Sequence, residues 1–301
     1  MGAFQFRFIS ARDGTRLRTG VFEPEKKSRR VCLLLPGHTE FIEKYIEVVG
    51  ELNARGFVVA TFDWRGQGGS ARPLENPLKS YVGDFSEYDD DLQSVLEQVV
   101  KPVSPAPPLV LAHSLGGHIA LRALHDRPGT LRAAALTAPM LGVVTGRYPA
   151  FFVRAMTALH AGAARGRDFA WGMAERDPLR VSFEAQLCTT SVERYARTQN
   201  VIVANPAIRV AGPTWGWIEA AYRSMKRLTR PGYAEAITAP VLIVAAGRDR
   251  VVDIEAERRL AAHLPKGKYV EIEDSEHEIL MEVDSIRARF WRAFDAFVDG
   301  L

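Results

Sequence analysis

The residues best suited to covalent chemistry lie in Leu109-Val110-Leu111-Ala112-His113-Ser114-Leu115-Gly116-Gly117. An apolar run reaches a serine, and two glycines follow almost at once. This pattern predicts a strand that turns sharply into a helix with Ser114 at the junction, the setting of a nucleophile elbow. A turn that tight needs small residues two positions before and after the serine. Ala112 and Gly116 meet that need, although Ala112 carries one methyl more than the usual glycine. The competing reading is a serine that merely caps a helix.

A serine hydroxyl is a weak nucleophile until a neighbouring base removes its proton. When the serine sits on such an elbow, the acid and then the histidine follow it in the chain. Five histidines lie beyond Ser114: His118, His125, His160, His263 and His277. His118 and His125 fall on the helix after the serine and point away from where a base must sit. His160 lies in a different kind of segment, described below, and His263 near a predicted helix end. His277 sits in the loop Glu273-Asp274-Ser275-Glu276-His277-Glu278, past the last predicted strand, where a base belongs. Otherwise it is an exposed loop histidine. Asp249 follows the apolar run Val241 to Ala246 and is the preferred acid, to orient the imidazole and stabilise its protonated form. Asp253 competes, but it is better placed to start the next helix.

Acyl transfer builds negative charge on an oxygen, which needs two preset N–H donors. The Leu115 amide is one. The other is expected from Pro36-Gly37-His38-Thr39-Glu40, through the His38 backbone. The His38 ring either touches substrate or is structural. Asp63-Trp64-Arg65-Gly66-Gln67-Gly68-Gly69-Ser70 has the glycines of a tight loop. It lacks the Lys-Ser/Thr and spacing of a phosphate loop, so it reads as scaffold beneath the site.

The elements that must position these groups follow from hydrophobic periodicity. Phe4, Phe6 and Phe8 alternate with polar residues. Asp13-Gly14 signals a turn, and Leu17 to Phe22 returns as a second strand. Val31 to Leu35, Phe57 to Phe62, Leu109 to Ala112, Ala133 to Thr137, Val241 to Ala245 and Tyr269 to Ile272 are further strands. Helical stripes intervene at Ile42 to Leu52, Leu92 to Val99, Gly116 to Arg127 and Ile254 to Leu264. A last helix, capped by Asp284, runs through Ile286, Phe290, Phe294 and Phe297. Alternation of this kind predicts an α/β fold with a mostly parallel sheet covered by helices on both faces. From 142 to 236 the rhythm changes to helix-like patches rich in aromatics and methionine. The expected organisation is one α/β domain (1–141 and 237–301) interrupted by a helical cap.

The chain has 301 residues, 47% hydrophobic and 25% charged, with a net charge of +3. These values suit a soluble globular protein and give no reason to expect nucleic acid. The cap holds 13 Lys+Arg against 7 Asp+Glu, so the rest of the chain is net −3. That asymmetry suits an anionic membrane surface or phosphate head groups, or else simply solvated helix faces. The two cysteines, Cys32 and Cys188, give no disulfide framework. With no apolar span or secretory signal, the expected location is cytoplasmic, with peripheral contact at the inner membrane face.

Three blocks carry a family resemblance: Pro36-Gly37-x-x-Glu40-x-x-x-Lys44-Tyr45, Asp63-x-Arg65-Gly66-Gln67-Gly68-x-Ser70, and Leu111-Ala112-His113-Ser114-x-Gly116-Gly117. They resemble the bacterial lysophospholipase L2 and monoacylglycerol lipase group of α/β-hydrolases. The resemblance covers both α/β portions and is faint over the cap, where Thr214 and Trp217 match best. Pro36, where monoacylglycerol lipases usually have His, and Ala112 both favour the lysophospholipase branch. The resemblance implies hydrolysis of a single-chain acyl ester, a lysolipid or monoacylglycerol, without a cofactor. Thr214, Trp215 and Trp217 are candidate substrate contacts in the cap. Two alternatives stand beside this expectation: a peptidase on the same three residues, which the basic cap disfavours, and a non-catalytic binding protein.

Overall fold

Every apolar run from Val31 onward that was expected to be a strand is one, and those at the centre are buried on both faces. The computed structural model describes residues 6–145 and 150–301. The expected strand start at Phe4 and the basic side chain of Arg147 lie outside the described residues. β1 (Phe6–Ser10) and β2 (Arg16–Phe22) form the hairpin expected around Asp13-Gly14. β3 (Val31–Leu35) leads through a 3₁₀ turn (Ile42–Tyr45) into α1 (Ile46–Ala54), so the first helix starts more tightly wound than its periodicity suggests. β4 (Val58–Phe62) and the two-residue β5 (Lys79–Ser80) precede α2 (Ser86–Val95). α2 continues through one wide turn into the short α3 (Lys101–Val103). β6 (Leu109–His113), α4 (Leu115–Asp126) and β7 (Ala133–Thr137) follow.

Between β7 and the next long strand come α5 (Ala150–His160), α6 (Val192–Ala204), the two-residue β8 (Gly212–Pro213) and α7 (Trp215–Leu228). β8 pairs only with β5 among the described residues. β9 (Val241–Ala246), α8 (Ile254–His263), β10 (Gly267–Ile272) and α9 (Asp284–Asp299) complete the chain. Asp284 does not cap α9 as its position suggested. Val283 occupies the cap, and the Asp284 carboxylate instead accepts from Arg194 at 2.6 Å.

The main sheet runs β1-β2-β4-β3-β6-β7-β9-β10. The pairs from β4 through β10 are parallel, and only β1 and β2 run antiparallel to their neighbours. Side chains alternate across a strand, so each strand feeds two cores. Leu33, Leu35, Val110, Ala112 and Leu136 face α2, α4, α7 and α8. Cys32, Leu34, Leu111, Ala135 and Val244 face α1 and α9, where Phe290 and Phe294 are fully buried. Because crossover helices cover both faces, the C-terminal strand ends meet at one edge. There β3, β4, β6, β9 and β10 release the loops that hold His38, Asp63, Ser114, Asp249 and His277.

The 142–236 segment is fastened to this edge by charge. Arg194 makes a bidentate pair with Glu47 of α1 and also reaches Asp284. Arg197 pairs with Glu47, Arg223 with Asp84 and Arg227 with Asp126. Much of the basic excess read from composition is therefore neutralised within the fold.

One buried group works against the fold. Glu257 of α8 is fully buried, and neither of its carboxyl oxygens has a hydrogen-bond partner among the described residues. Burial, with the nearby charges of Asp249, Asp253 and Glu271, pushes its pKa well above the ordinary range. A carboxyl whose folded pKa is raised contributes stability below its unfolded pKa and loses it as pH rises. The stability of Glu257→Gln relative to wild type should therefore increase by about 1.4 kcal/mol per pH unit above about pH 4.5, until the folded-state pKa is reached. Urea denaturation from pH 5 to 8 reads this directly, and a pH-independent difference would contradict it.

Candidate active site

Ser114 sits where β6 gives way to α4, at φ 48° and ψ −111°. A side chain at positive φ is strained and persists only where its surroundings enforce it. Here the Ser114 amide donates to Thr137 O of β7, and its carbonyl accepts from His118 and Met140. Gly116 permits the close passage of α4 over β3, since a Cβ there would lie 2.4 Å from Leu35 O. Ala112, by contrast, faces into the core between Leu35 and Leu136, where a methyl is accommodated. The departure from glycine at that position thus costs nothing in this fold.

His277 and Asp249 come together from the loops after β10 and β9. His277 Nδ1 lies 2.6 Å from Asp249 Oδ2, and both side chains are buried. The other carboxylate oxygen of Asp249 accepts the Val251 and Val252 amides at 2.7 and 2.9 Å. Burial pushes the Asp249 pKa up. The hydrogen bond and charge of His277, with the two amides, outweigh burial and hold it below the ordinary value. His277 Nε2 has no hydrogen-bond partner among the described residues. The His277 ring lies 4.7 Å from the ring of His113, the residue just before Ser114. Asp253 instead caps α8, accepting from the Glu255 and Ala256 amides.

The other histidines do different work. His118 is buried between Met140 O at 2.7 Å and Ser224 Oγ at 2.6 Å. His160 stacks on Trp215 at 4.5 Å, and His263 bonds its own helix at Arg259 O.

The Leu115 and His38 amides donate to no protein acceptor among the described residues. The loop that carries His38 is held on every side. Its Gly37 amide and the Tyr45 hydroxyl both donate to Glu40 Oε2. Gln67 Nε2 donates to Gly37 O and Glu40 O at 2.8 Å, and Trp64 Nε1 to Pro36 O at 2.8 Å. Those contacts give the Asp63–Ser70 block its part as scaffold. The block is itself organised by the Asp63 carboxylate, which takes the Ile42 and Gly69 amides and Arg18 Nε. Gly68, at φ 55°, leaves room for that carboxylate, since a Cβ would come within 2.2 Å of it.

Composition and motif spacing gave no role to the charged cluster behind the site. Lys44 Nζ is buried between Glu40 Oε1 at 2.8 Å and Glu278 Oε1 at 2.6 Å. Glu40 belongs to the His38 loop and Glu278 directly follows His277, so one ammonium ties the two together. Burial raises the Glu40 pKa, but Lys44 and His113 more than offset it and bring it to about 2. The signal was present in the i,i+4 spacing of Glu40 and Lys44 and in the acidic residues flanking His277. On the far side, Glu282 accepts the Glu276 amide at 2.9 Å and the Thr190 amide at 3.0 Å, while the Glu278 amide donates to Cys188 O at 2.7 Å. The 188–190 strip therefore clamps the His277 loop.

The three cap residues expected to meet substrate are placed differently from one another. Thr214 caps α7: its hydroxyl accepts the Trp217 amide and donates to Ser80 O. It is fully buried. Trp215 is buried against His160 and Trp171. Trp217 donates to Tyr88 OH at 2.9 Å and lies 4.1 Å from the His38 ring, whose Nε2 is 2.7 Å from Ser80 Oγ. Burial pushes the His38 pKa down to about 3, so that ring is neutral. Among the described residues, no group of three or more His, Cys, Asp or Glu could hold a metal ion.

A family model described as "Serine aminopeptidase, S33" matches residues 26–284. Lysophospholipase L2 of Escherichia coli strain K12 is 36% identical over 267 residues, covering 86% of this chain and 77% of that protein. A probable lysophospholipase L2 of Haemophilus influenzae is 27% identical, covering 98% of this chain and 92% of its own length. A soluble variant of monoglyceride lipase from Saccharomyces cerevisiae, solved with a substrate analogue, superposes with a TM-score of 0.79 at 16% identity, covering 100% of this chain and 97% of that one. That last likeness establishes the fold.

Removing the buried ammonium should be costly. Lys44→Met leaves the buried Glu40 and the part-buried Glu278 without their shared cation and should destabilise the protein by about 3–5 kcal/mol at pH 7. Glu40 has a depressed folded pKa, so its contribution is present above the unfolded value of 4.5 and is lost as pH falls toward about 2. The deficit of Lys44→Met should accordingly hold from pH 7 to about 4.5 and shrink as pH falls from there toward about 2. Denaturant midpoints across that range test this, and a deficit that does not change with pH would contradict it.

Proposed function

The chain belongs to the serine aminopeptidase S33 family of hydrolases, and from that premise we propose that it cleaves the ester bond of single-chain acyl lipids, lysophospholipids first and monoacylglycerols second. The observation that carries this reading is the buried His277–Asp249 pair beside the strained Ser114 turn, with an unpaired amide at Leu115 next to the serine and another at His38 after β3. In the proposed reaction Ser114 Oγ attacks the acyl carbonyl while His277 Nε2 takes its proton. The Leu115 and His38 amides receive the oxyanion. The intermediate collapses, the C–O bond to the leaving alcohol breaks, and His277 returns its proton to that alcohol. Water, deprotonated by His277, then attacks the acyl-enzyme, and the acid is released as Ser114 regains its proton. Asp249 keeps the imidazole oriented and stabilises its charge.

The same proposal includes contact with a membrane surface. Among the described residues no helix is long and apolar enough to cross a bilayer. Phe151 and Leu159 of α5 are 76% and 63% exposed, and Trp171, which packs against His160 at the end of α5, is 63% exposed. Apolar side chains presented in this way suit shallow insertion among lipids. This support is stronger than that from net charge, since so many cap arginines are paired.

Wild-type protein should release fatty acid from lysophosphatidylcholine, and Ser114→Ala should lose about 10³-fold or more of that rate. Release confined to short p-nitrophenyl esters would remove the lipid assignment, and release undiminished in Ser114→Ala would remove the mechanism. The double variant Phe151→Ser, Trp171→Ser should bind phosphatidylglycerol vesicles more weakly while keeping wild-type turnover of a short ester. Unchanged vesicle sedimentation would contradict the membrane contact.

A further inference from the structure

A cavity of about 710 Å³ opens between the Asp63–Ser70 loop and residues 205–209 of the cap. Neither Ser114, Asp249, His277, Leu115 nor His38 lines it. Its walls are largely apolar, with Phe8, Leu78, Pro206 and Ile208 among them.

Three arginines line the cavity, and they differ in one respect. Arg18 is neutralised by Asp63 and Glu43, both at 2.6 Å. Arg209 is neutralised by Asp177 at 3.0 Å. Arg72 forms no ion pair among the described residues. Its Nη2 donates to Gly68 O at 2.8 Å, Ala207 O at 3.0 Å and Arg209 O at 3.5 Å. Its Nη1 is shielded from water and has no hydrogen-bond partner among the described residues. Carbonyl oxygens satisfy N–H groups but do not cancel a charge, and a buried charge without a counter-ion is expensive to keep. The imbalance shows in Arg72 itself: burial outweighs the more distant charge of Asp63 and lowers its pKa to about 10.

We propose that this cavity is a second, non-catalytic ligand site for a single-chain carboxylate amphiphile, with the carboxylate drawn by the uncompensated charge of Arg72 and the alkyl chain along Phe8, Leu78, Pro206 and Ile208. An apolar trough with one unneutralised guanidinium selects a ligand that is apolar along its length and anionic at one end. A fatty acid has that chemistry. On the ester-hydrolase reading it is also the product, so the site would let accumulated product bind outside the catalytic centre. Because Arg72 joins the Asp63–Ser70 loop to the cap carbonyls of 207 and 209, an occupant would bear on both.

The test is calorimetric titration of laurate, below its micellar concentration, into the Ser114→Ala protein. Binding should be at least tenfold weaker after Arg72→Gln, and also after Ala207→Phe, which fills the cavity without replacing the arginine. Dodecanol and acetate, which lack the charge and the chain respectively, should each bind at least tenfold more weakly than laurate. Turnover of p-nitrophenyl acetate by the same substitutions in the Ser114 background reports that they fold. Laurate binding that survives both substitutions, as occupancy of the catalytic pocket alone would give, overturns the proposal, and so does an absence of laurate binding. Titration into Ser114→Ala needs no turnover, so failure here is separate from failure of the ester-hydrolase reading, which fatty-acid release by the wild type decides.

Discussion

One buried ammonium holds two loops in register. Lys44 lies between Glu40, in the loop that presents the His38 amide, and Glu278, next to His277. These loops leave β3 and β10, which are separated in the sheet by β6, β7 and β9. Nothing in the sheet itself sets the distance between an amide after one strand and an imidazole after the other. A charge bridge does, and it is stiff because Lys44 and Glu40 are largely out of reach of water. The Tyr45 hydroxyl and Gly37 amide on the same Glu40 carboxylate add to the constraint.

Around that bridge the remaining restraints are layered. The turn at Ser114 is strained, and it is kept by backbone hydrogen bonds to β7 and by the close approach of α4 to β3 that Gly116 allows. Residues 188–194 add a further layer. Cys188 and Thr190 take part in the hydrogen bonds that fix the His277 loop, and Arg194 binds α1 and the start of α9 together. This strip is therefore part of what positions the imidazole. Substitutions along 188–194 should be felt at His277 without touching substrate.

Most of the sheet was legible in the sequence because its central strands are short, wholly apolar and separated by helical stripes, a pattern with few alternative folds. Ser114, Asp249 and His277 were legible as candidates because strand ends are visible and an α/β sheet gathers its strand ends at one edge. The details that escaped depend on contacts between distant parts of the chain. Thr214 looks like a polar residue beside two tryptophans, and only the β5–β8 contact shows that its hydroxyl is committed to Ser80 and to the helix start. Asp284 has the sequence of a cap but is drawn to Arg194, ninety positions earlier. The charge excess of the cap was visible, whereas its pairing with Glu47, Asp84 and Asp126 was not. Arg72 lies close to a recognisable block, yet its lack of a counter-ion is a property of three-dimensional packing alone.

The account rests on Ser114 being the activated nucleophile. The most direct measurement is reaction of the intact protein with a fluorophosphonate, followed by mass spectrometry of the whole chain and its peptides. The account predicts one adduct, on the peptide containing Ser114, formed rapidly by the wild type, much more slowly by Asp249→Asn and not at all by Ser114→Ala. An adduct on another residue, or labelling that persists in Ser114→Ala, would contradict it.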